Sequence, residues 1–151
     1  MNKLNVKIKR INNNFNDIPL PRYETEDSSG MDVRAALEIE YNLQSGKVAL
    51  IPTNLILQIP KGYEVQVRPR SGLAAKHGIG VLNSPGTIDA DYRGEVKIIL
   101  FNFSDKDFII KRSDRIAQLV LGKVYRADLD EVQYLDSTKR GDGGFGHTGY
   151  K

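Results

Sequence analysis

Apolar and polar residues alternate along much of this chain. Leu4, Val6 and Ile8 are interleaved with Lys3, Asn5, Lys7 and Lys9, and Tyr63, Val65 and Val67 with Glu64, Gln66 and Arg68. Neighbouring side chains of an extended chain point to opposite faces, so each run predicts a strand with one buried face. Met31, Val33 and Ala35 alternate with Asp32 and Arg34 in the same way, which puts both charges on one face of a short strand opening at Gly30. Residues 47–52 and 55–60 are apolar runs bounded by prolines and read as core strands. Residues 96–103 are apolar on both faces, as in a strand sandwiched in a core or a subunit interface, and 108–110 and 116–121 give two more such runs. Only one short helix is predicted: Ser71 as N-cap, Leu73, Ala74, Ala75 and Lys76 within it, Gly78 as terminator. Asn12-Asn13-Asn14, Pro19, Pro21 and residues 24–29 read as loop. Many short strands with close turn signals point to an all-β sandwich or barrel.

Composition narrows the class. A chain of 151 residues with 40% hydrophobic and 27% charged residues fits one soluble globular domain. The net charge of +3 suits a polyanionic substrate, yet no basic block accompanies it, so direct nucleic-acid binding is not expected. The absence of cysteine excludes disulfides, thiolate metal sites and a cysteine nucleophile. With His77 and His147 the only histidines, a zinc centre is not expected either. The N-terminal alternation is a strand pattern and not a signal peptide, so the expectation is a cytoplasmic protein away from membranes, or one in a host cell if a virus or phage encodes it.

Candidate chemistry gathers between Arg68 and Glu95. Arg70, the Ser71 hydroxyl and the free N–H groups of a helix start would converge on an anion such as a phosphate chain, or form an ordinary capped turn. Val81-Leu82 and Thr87-Ile88 flank Asn83-Ser84-Pro85-Gly86, predicting a hairpin whose tip offers backbone donors and acceptors to a planar ligand. Asp89 follows, a carboxylate able to orient water or hold a sugar hydroxyl, and Tyr92 offers a ring to pack on a sugar. Asp32 and Arg34 read as a surface ion pair or as functional charges. Gln118, polar within an apolar strand, must bond inside the core or face a ligand. Beyond Asp136 apolar content nearly vanishes except for Phe145 and Tyr150, so residues 136–151 form either a disordered terminus or a segment that orders over ligand.

These residues fall into five segments that resemble, in order, the conserved segments of the homotrimeric dUTP pyrophosphatases (dUTPases). They are Ser29-Gly30-Met31-Asp32-Val33-Arg34-Ala35, Arg70-Ser71-Gly72-Leu73-Ala74, the run through Asn83 and Asp89 to Glu95, Asp114-Arg115-Ile116-Ala117-Gln118-Leu119, and Arg140-Gly141-Asp142-Gly143-Gly144-Phe145-Gly146-His147-Thr148-Gly149. The resemblance implies a distorted jelly roll over residues 1–135, assembled as a homotrimer, and a glycine-rich arm, 136–151, that closes over a neighbouring subunit's site. It implies hydrolysis of dUTP to dUMP and pyrophosphate, limiting uracil in DNA and supplying dUMP for thymidylate synthesis. Asp89 and Gln118 would be catalytic. Arg70, Ser71 and Gly72 would bind phosphates; Asn83, Gly86, Thr87 and Ile88 the uracil; Asp89 and Tyr92 the sugar; Arg140, Gly144, Phe145 and Gly146 the ligand from above. Magnesium would ride on substrate phosphates, with Asp32 reaching it through water. A dCTP deaminase, bifunctional or not, and a nucleotide-responsive regulatory binding protein are the rival readings. Two positions depart from the family pattern: His147 stands where serine is common, and Asn54 where glycine is frequent.

Overall fold

The computed structural model describes residues 3–144. Among these residues eleven strands, one α-helix and one 3-10 helix follow in order: β1 (Lys7–Arg10), the 3-10 helix (Asn13–Phe15), β2 (Gly30–Arg34), β3 (Tyr41–Leu43), β4 (Val48–Pro52), β5 (Leu55–Gln58), β6 (Tyr63–Arg68), α1 (Ser71–His77), β7 (Ile79–Val81), β8 (Gly86–Ile88), β9 (Lys97–Asn102), β10 (Phe108–Ile110) and β11 (Arg115–Lys123). Strand order is β2-β11-β6-β8 in one sheet and β4-β9-β7 in another, with two-stranded ribbons β1-β5 and β10-β3 completing an all-β jelly-roll-like body. Every pairing is antiparallel. Inward positions of both sheets share one core, in which Val33, Ile51, Val65, Ile98, Ile110 and Leu119 are each at most 1% exposed. Burying each such side chain contributes about 1.5–3 kcal/mol. Among the described residues no helix is long and apolar enough to cross a membrane.

The alternating runs at 31–35 and 63–68 became strands because one face of each could reach that core, whereas the first run forms only β1 at Lys7–Arg10, with no buried residue and Ile8 37% exposed. The uninterrupted apolar run of β4 behaves differently from expectation. Ala49 and Ile51 are buried, but Val48 and Leu50 are 47% and 57% exposed, so β4 is a core strand on one face only. The interior polar groups are paired: Asn102 Nδ2 donates to Leu43 O at 3.0 Å and Lys106 O at 2.8 Å, tying β9 to β3 and the next turn. Asn54 is buried at φ 61°, a left-handed conformation that asparagine tolerates, and its amide exchanges bonds with the backbone of Asn12.

Two local expectations are corrected. Ser71 is the first helical residue, and the N-cap is Arg70, with extended backbone and no side-chain cap bond. Gly78 ends α1 as expected, at φ 64°, its N–H reaching Ala74 O and Leu73 O. The segments around Asn83-Ser84-Pro85-Gly86 are not a hairpin, because β7 pairs with β9 and β8 pairs with β6. The turn residues signalled a reversal but carried no information about partners. The connection therefore crosses from one sheet to the other. Regular structure ends at Lys123, and residues 123–142 are exposed.

Candidate functional site

Strand β8 is the last strand of its sheet, so one edge of Gly86–Ile88 pairs with β6 and the other is open. Unpaired N–H and C=O groups along such an edge are available to a ligand. That edge borders a cavity of about 370 Å³ lined by Asn83, Gly86, Thr87, Ile88, Asp89 and Tyr92, together with Leu50, Glu95, Lys97 and Ile99 from neighbouring segments. The volume is in the range of small-ligand sites. A Cβ at Gly86 would press on Asn83 Nδ2 and Val67, so glycine lets the Asn83 amide fold back over the strand. Tyr92 closes a turn with its N–H on Asp89 O at 3.2 Å, its hydroxyl donates to Glu95 O at 3.2 Å, and Gly94 leaves room for the ring. Arg93 Nη1 staples the same turn by donating to Ala90 O and Tyr92 O. Asp89 is exposed within this frame.

A second cluster forms where β2, β11 and the start of α1 meet. Asp32 is the centre: Arg70 Nε lies 3.0 Å from its Oδ1 and Arg115 Nη1 3.0 Å from its Oδ2. Arg70 Nη1 also donates to Arg115 O at 3.0 Å. Gln118 sits opposite Asp32 in the ladder, and its Nε2 donates to Pro69 O at 3.0 Å, bracing the strand exit that delivers Arg70. The internal bond anticipated for Gln118 is therefore present. An ion pair between Asp32 and Arg34 is not what forms; Arg34 Nη1 donates to Ser113 O at 2.7 Å, and cations 38 and 83 positions away take Asp32 instead. Ser71 and Gly72 are exposed beside Arg70, and nothing lies within 4 Å of a Cβ built at Gly72.

The two groups of residues do not share a cavity. Val67 opposes Gly86, Val65 opposes Ile88, and Arg68 opposes Gln118, so β8 runs away from the end of β6 that leads into α1. Asp89 thus lies some four residues of strand from the level of Arg68, about 13 Å at ~3.3 Å per residue. Neither Arg70, Ser71, Gly72 nor Gln118 lines the cavity around Asp89. Arg140 donates from Nε to Gly143 O at 2.8 Å within its own arm, and Gly144 is half-buried. The expectations for Phe145, Gly146 and His147 concern residues outside those described.

Sequence reasoning assigns no role to Arg115, Glu95 or Lys97, although Arg115 falls inside the fourth segment and Glu95 ends the third. Glu95 and Lys97 form an ion pair at 3.6 Å by the cavity, and Glu95 Oε1 also accepts from Asn54 N at 2.8 Å. Glu95 closes the third segment, whereas the signal of Lys97 was charge at the edge of an apolar run. For a divalent cation the donor set is sparse. Among the described residues there is no group of three or more His, Cys, Asp or Glu side chains that could hold a metal. Asp32, with both oxygens engaged by guanidinium groups, fits outer-sphere contact to a hydrated ion better than direct ligation.

A sequence model of the dUTPase family matches residues 16–149. The chain is 52% identical over 149 residues to the deoxyuridine 5'-triphosphate nucleotidohydrolase of Fusobacterium nucleatum, covering 99% of both chains. It is 53% identical over 150 residues to the enzyme of the same name from Ehrlichia canis, covering 98% of both. Among solved structures, the Staphylococcus bacteriophage 80alpha dUTPase with dUPNHPP matches with a TM-score of 0.84, at 23% identity over 97% of this chain and 99% of that one. A dUTPase from phage phi11 of S. aureus, described as coordinating a structural Mg(II) ion, matches with a TM-score of 0.77, at 20% identity over 89% of this chain and all of the other.

Proposed function

Because the chain belongs to the dUTPase family, we propose that it hydrolyses dUTP to dUMP and pyrophosphate by attack of water on the α-phosphorus. The observation that carries this reading is the cavity between the open edge of β8 and Tyr92, with Asp89 at its rim. Uracil presents an acceptor–donor–acceptor edge. Backbone groups of Gly86, Thr87 and Ile88 along the strand, with Asn83 beside them, can complete that edge, and cytosine would leave buried groups unpaired. A thymine methyl would meet the cavity wall, and Tyr92 under the sugar would crowd a ribose 2'-hydroxyl. Asp89 takes the proton of the attacking water or orients it, and touches the 3'-hydroxyl.

Charge on the triphosphate is met by Arg70, Ser71 and Gly72, with Gln118 at the α-phosphate and Arg140 at the far end. Magnesium, when bound with substrate, would be held chiefly by phosphate oxygens and would neutralise their charge, with Asp32 contacting its waters. Asp89 and the Arg70 cluster lie apart in one chain, so the complete site requires copies of the chain to associate, and we take the assembly to be a homotrimer. Residues 136–151, Gly144, Phe145 and Gly146 among them, would close over a neighbour's nucleotide.

Pyrophosphate release from dUTP, dCTP, dTTP and UTP with magnesium tests the reading on the intact protein and on Asp89→Asn. Release from dUTP alone is expected, falling about 10²–10⁴-fold in the variant. Ammonia from dCTP without pyrophosphate from dUTP would favour the deaminase and overturn the assignment.

A further inference from the structure

Arg115 precedes Gln118 by three residues, an odd spacing that on a regular strand would put the two side chains on opposite faces. Strand β11 is not regular there. Arg115 opposes Arg34 while Ala117 opposes Val33, so Ile116 is an extra residue against β2. Ile116 and Ala117 are consequently both buried, at 2% and 0% exposure, and Arg115 emerges on the face that carries Asp32 and Gln118. Bulges of this kind re-aim a side chain beside a site. Here the bulge places two groups of one residue: the guanidinium on Asp32 Oδ2, and the carbonyl on Arg70 Nη1, each at 3.0 Å.

We infer that Arg115 is a positioning residue for polyphosphate binding, acting through Asp32 and Arg70. With Arg70 alone on Oδ1, the Asp32 carboxylate could turn about its last bond; a second cation on Oδ2 fixes its plane. Arg70 is then held at Nε by Asp32 and at Nη1 by the Arg115 carbonyl, which leaves the Nη2 edge for a phosphate oxygen. A guanidinium oriented in advance loses less rotamer freedom when the anion arrives. Two guanidinium groups on one carboxylate also leave a surplus positive charge, so the cluster attracts anions although Asp32 stands at its centre. Asp32 and Arg70 are mostly buried, with side chains 17% and 23% exposed, whereas Arg115 is 42% exposed and lies at the rim.

The identity of the nucleotide rests on the function proposed above, but the role of Arg115 needs only a polyphosphate, so the two can fail separately. The test measures binding of inorganic tripolyphosphate, a non-hydrolysable dUTP analogue and dUMP to the intact protein, Arg115→Ala, Arg115→Lys, Asp32→Asn and the Asp32→Asn/Arg115→Ala double variant. Arg115→Ala should weaken tripolyphosphate and the analogue about tenfold, a size usual for coupled contacts, and leave dUMP unchanged. KM for dUTP should rise with little change in kcat. Arg115→Lys should recover most of the loss, because the contact to Oδ2 uses a single nitrogen. The double variant should bind no worse than the weaker single one. Tripolyphosphate binding equal in the intact protein and Arg115→Ala would overturn the inference, as would equal weakening of dUMP and the analogue. Intact protein that binds tripolyphosphate through Arg115 yet releases no pyrophosphate from dUTP would sink the substrate assignment alone.

Discussion

A methyl group at position 30 would occupy the space now held by Oε1 of Gln118. The amide is not free to step aside, because its Nε2 is bonded to Pro69 O. Gly30 lies in β2 with no positive φ, so alanine suits the strand itself, and the cost falls on the neighbour. Gly30→Ala is therefore expected to lower the urea midpoint modestly, by the loss of a part-buried hydrogen bond worth about 1 kcal/mol, and to lower kcat for dUTP by on the order of 10²-fold, as displacement of a positioned group by about 1 Å can. A variant that loses stability but keeps full turnover would show that Gln118 serves the fold alone. Gln118 was conspicuous in the sequence because a polar side chain interrupts an apolar run, and its bond to Pro69 O was one of the two roles that run allowed. The partners of Asp32 were not legible. They come from 38 and 83 positions away, and one of them is delivered by a bulge that leaves no mark in the hydrophobic pattern.

At the scale of elements, the connection between β1 and β2 shows how a loop without strands is kept in place. Phe15 and Ile18 form a small core of their own with Ala36. Arg10 donates to Phe15 O and Ile18 O, and Arg112, from the turn before β11, lies 4.5 Å over the Phe15 ring. Arg112 also donates to Asn14 O at 2.7 Å and, through Nη2 and Nε, to the Asp17 carboxylate at 2.6 and 3.0 Å. The hydrogen bond from Arg112 holds the Asp17 carboxyl below the usual carboxylate range. A group whose folded value is depressed stabilises above its unfolded value and loses that contribution as pH falls through the folded one. Asp17→Asn should accordingly speed amide exchange at Ile18, whose N–H is bonded to Phe15 O. The ratio of variant to native rate should be greatest near neutrality and approach one well below pH 4. A ratio independent of pH would mean the ion pair does not restrain this loop. Strands were readable because half-buried strands imprint period two on the sequence; β6 and β2 fall where the alternation puts them. Pairing was less readable. Nothing in Asn83-Ser84-Pro85-Gly86 distinguishes a hairpin from a crossing between sheets, and helix α1 began one residue away from the expected boundary because Arg70, not Ser71, has the extended backbone.

For the whole molecule, the outward face of the β4-β9-β7 sheet is the feature that a lone chain leaves unexplained. Val48 opposes Phe101 and Leu50 opposes Ile99, and the Phe103 ring packs edge-on to Phe101 with centroids 4.1 Å apart over the space left by Gly80. Val48, Leu50 and Phe103 are 47%, 57% and 68% exposed. An outward apolar row of this kind marks an association surface. Leu50 and Ile99 also line the cavity that holds Asp89 and Tyr92, so the face that would meet another copy adjoins a cavity that none of Arg70, Ser71, Gly72 and Gln118 lines. Association there would deal with both deficits, covering the apolar row and bringing a neighbour's Arg70, Ser71, Gly72 and Gln118 toward the nucleoside. Val48→Asp tests the link, since Val48 belongs to the row but not to the cavity lining. A carboxylate forced into an apolar interface is costly unless paired, so the variant should elute from a sizing column as a monomer where the native chain elutes as a trimer. Its dUTP turnover at low protein concentration should fall together with the trimer fraction and return as concentration is raised. Full turnover by a monomer would show that one chain holds a complete site, and the separation between Asp89 and Arg70 would then have to be bridged by movement within the chain.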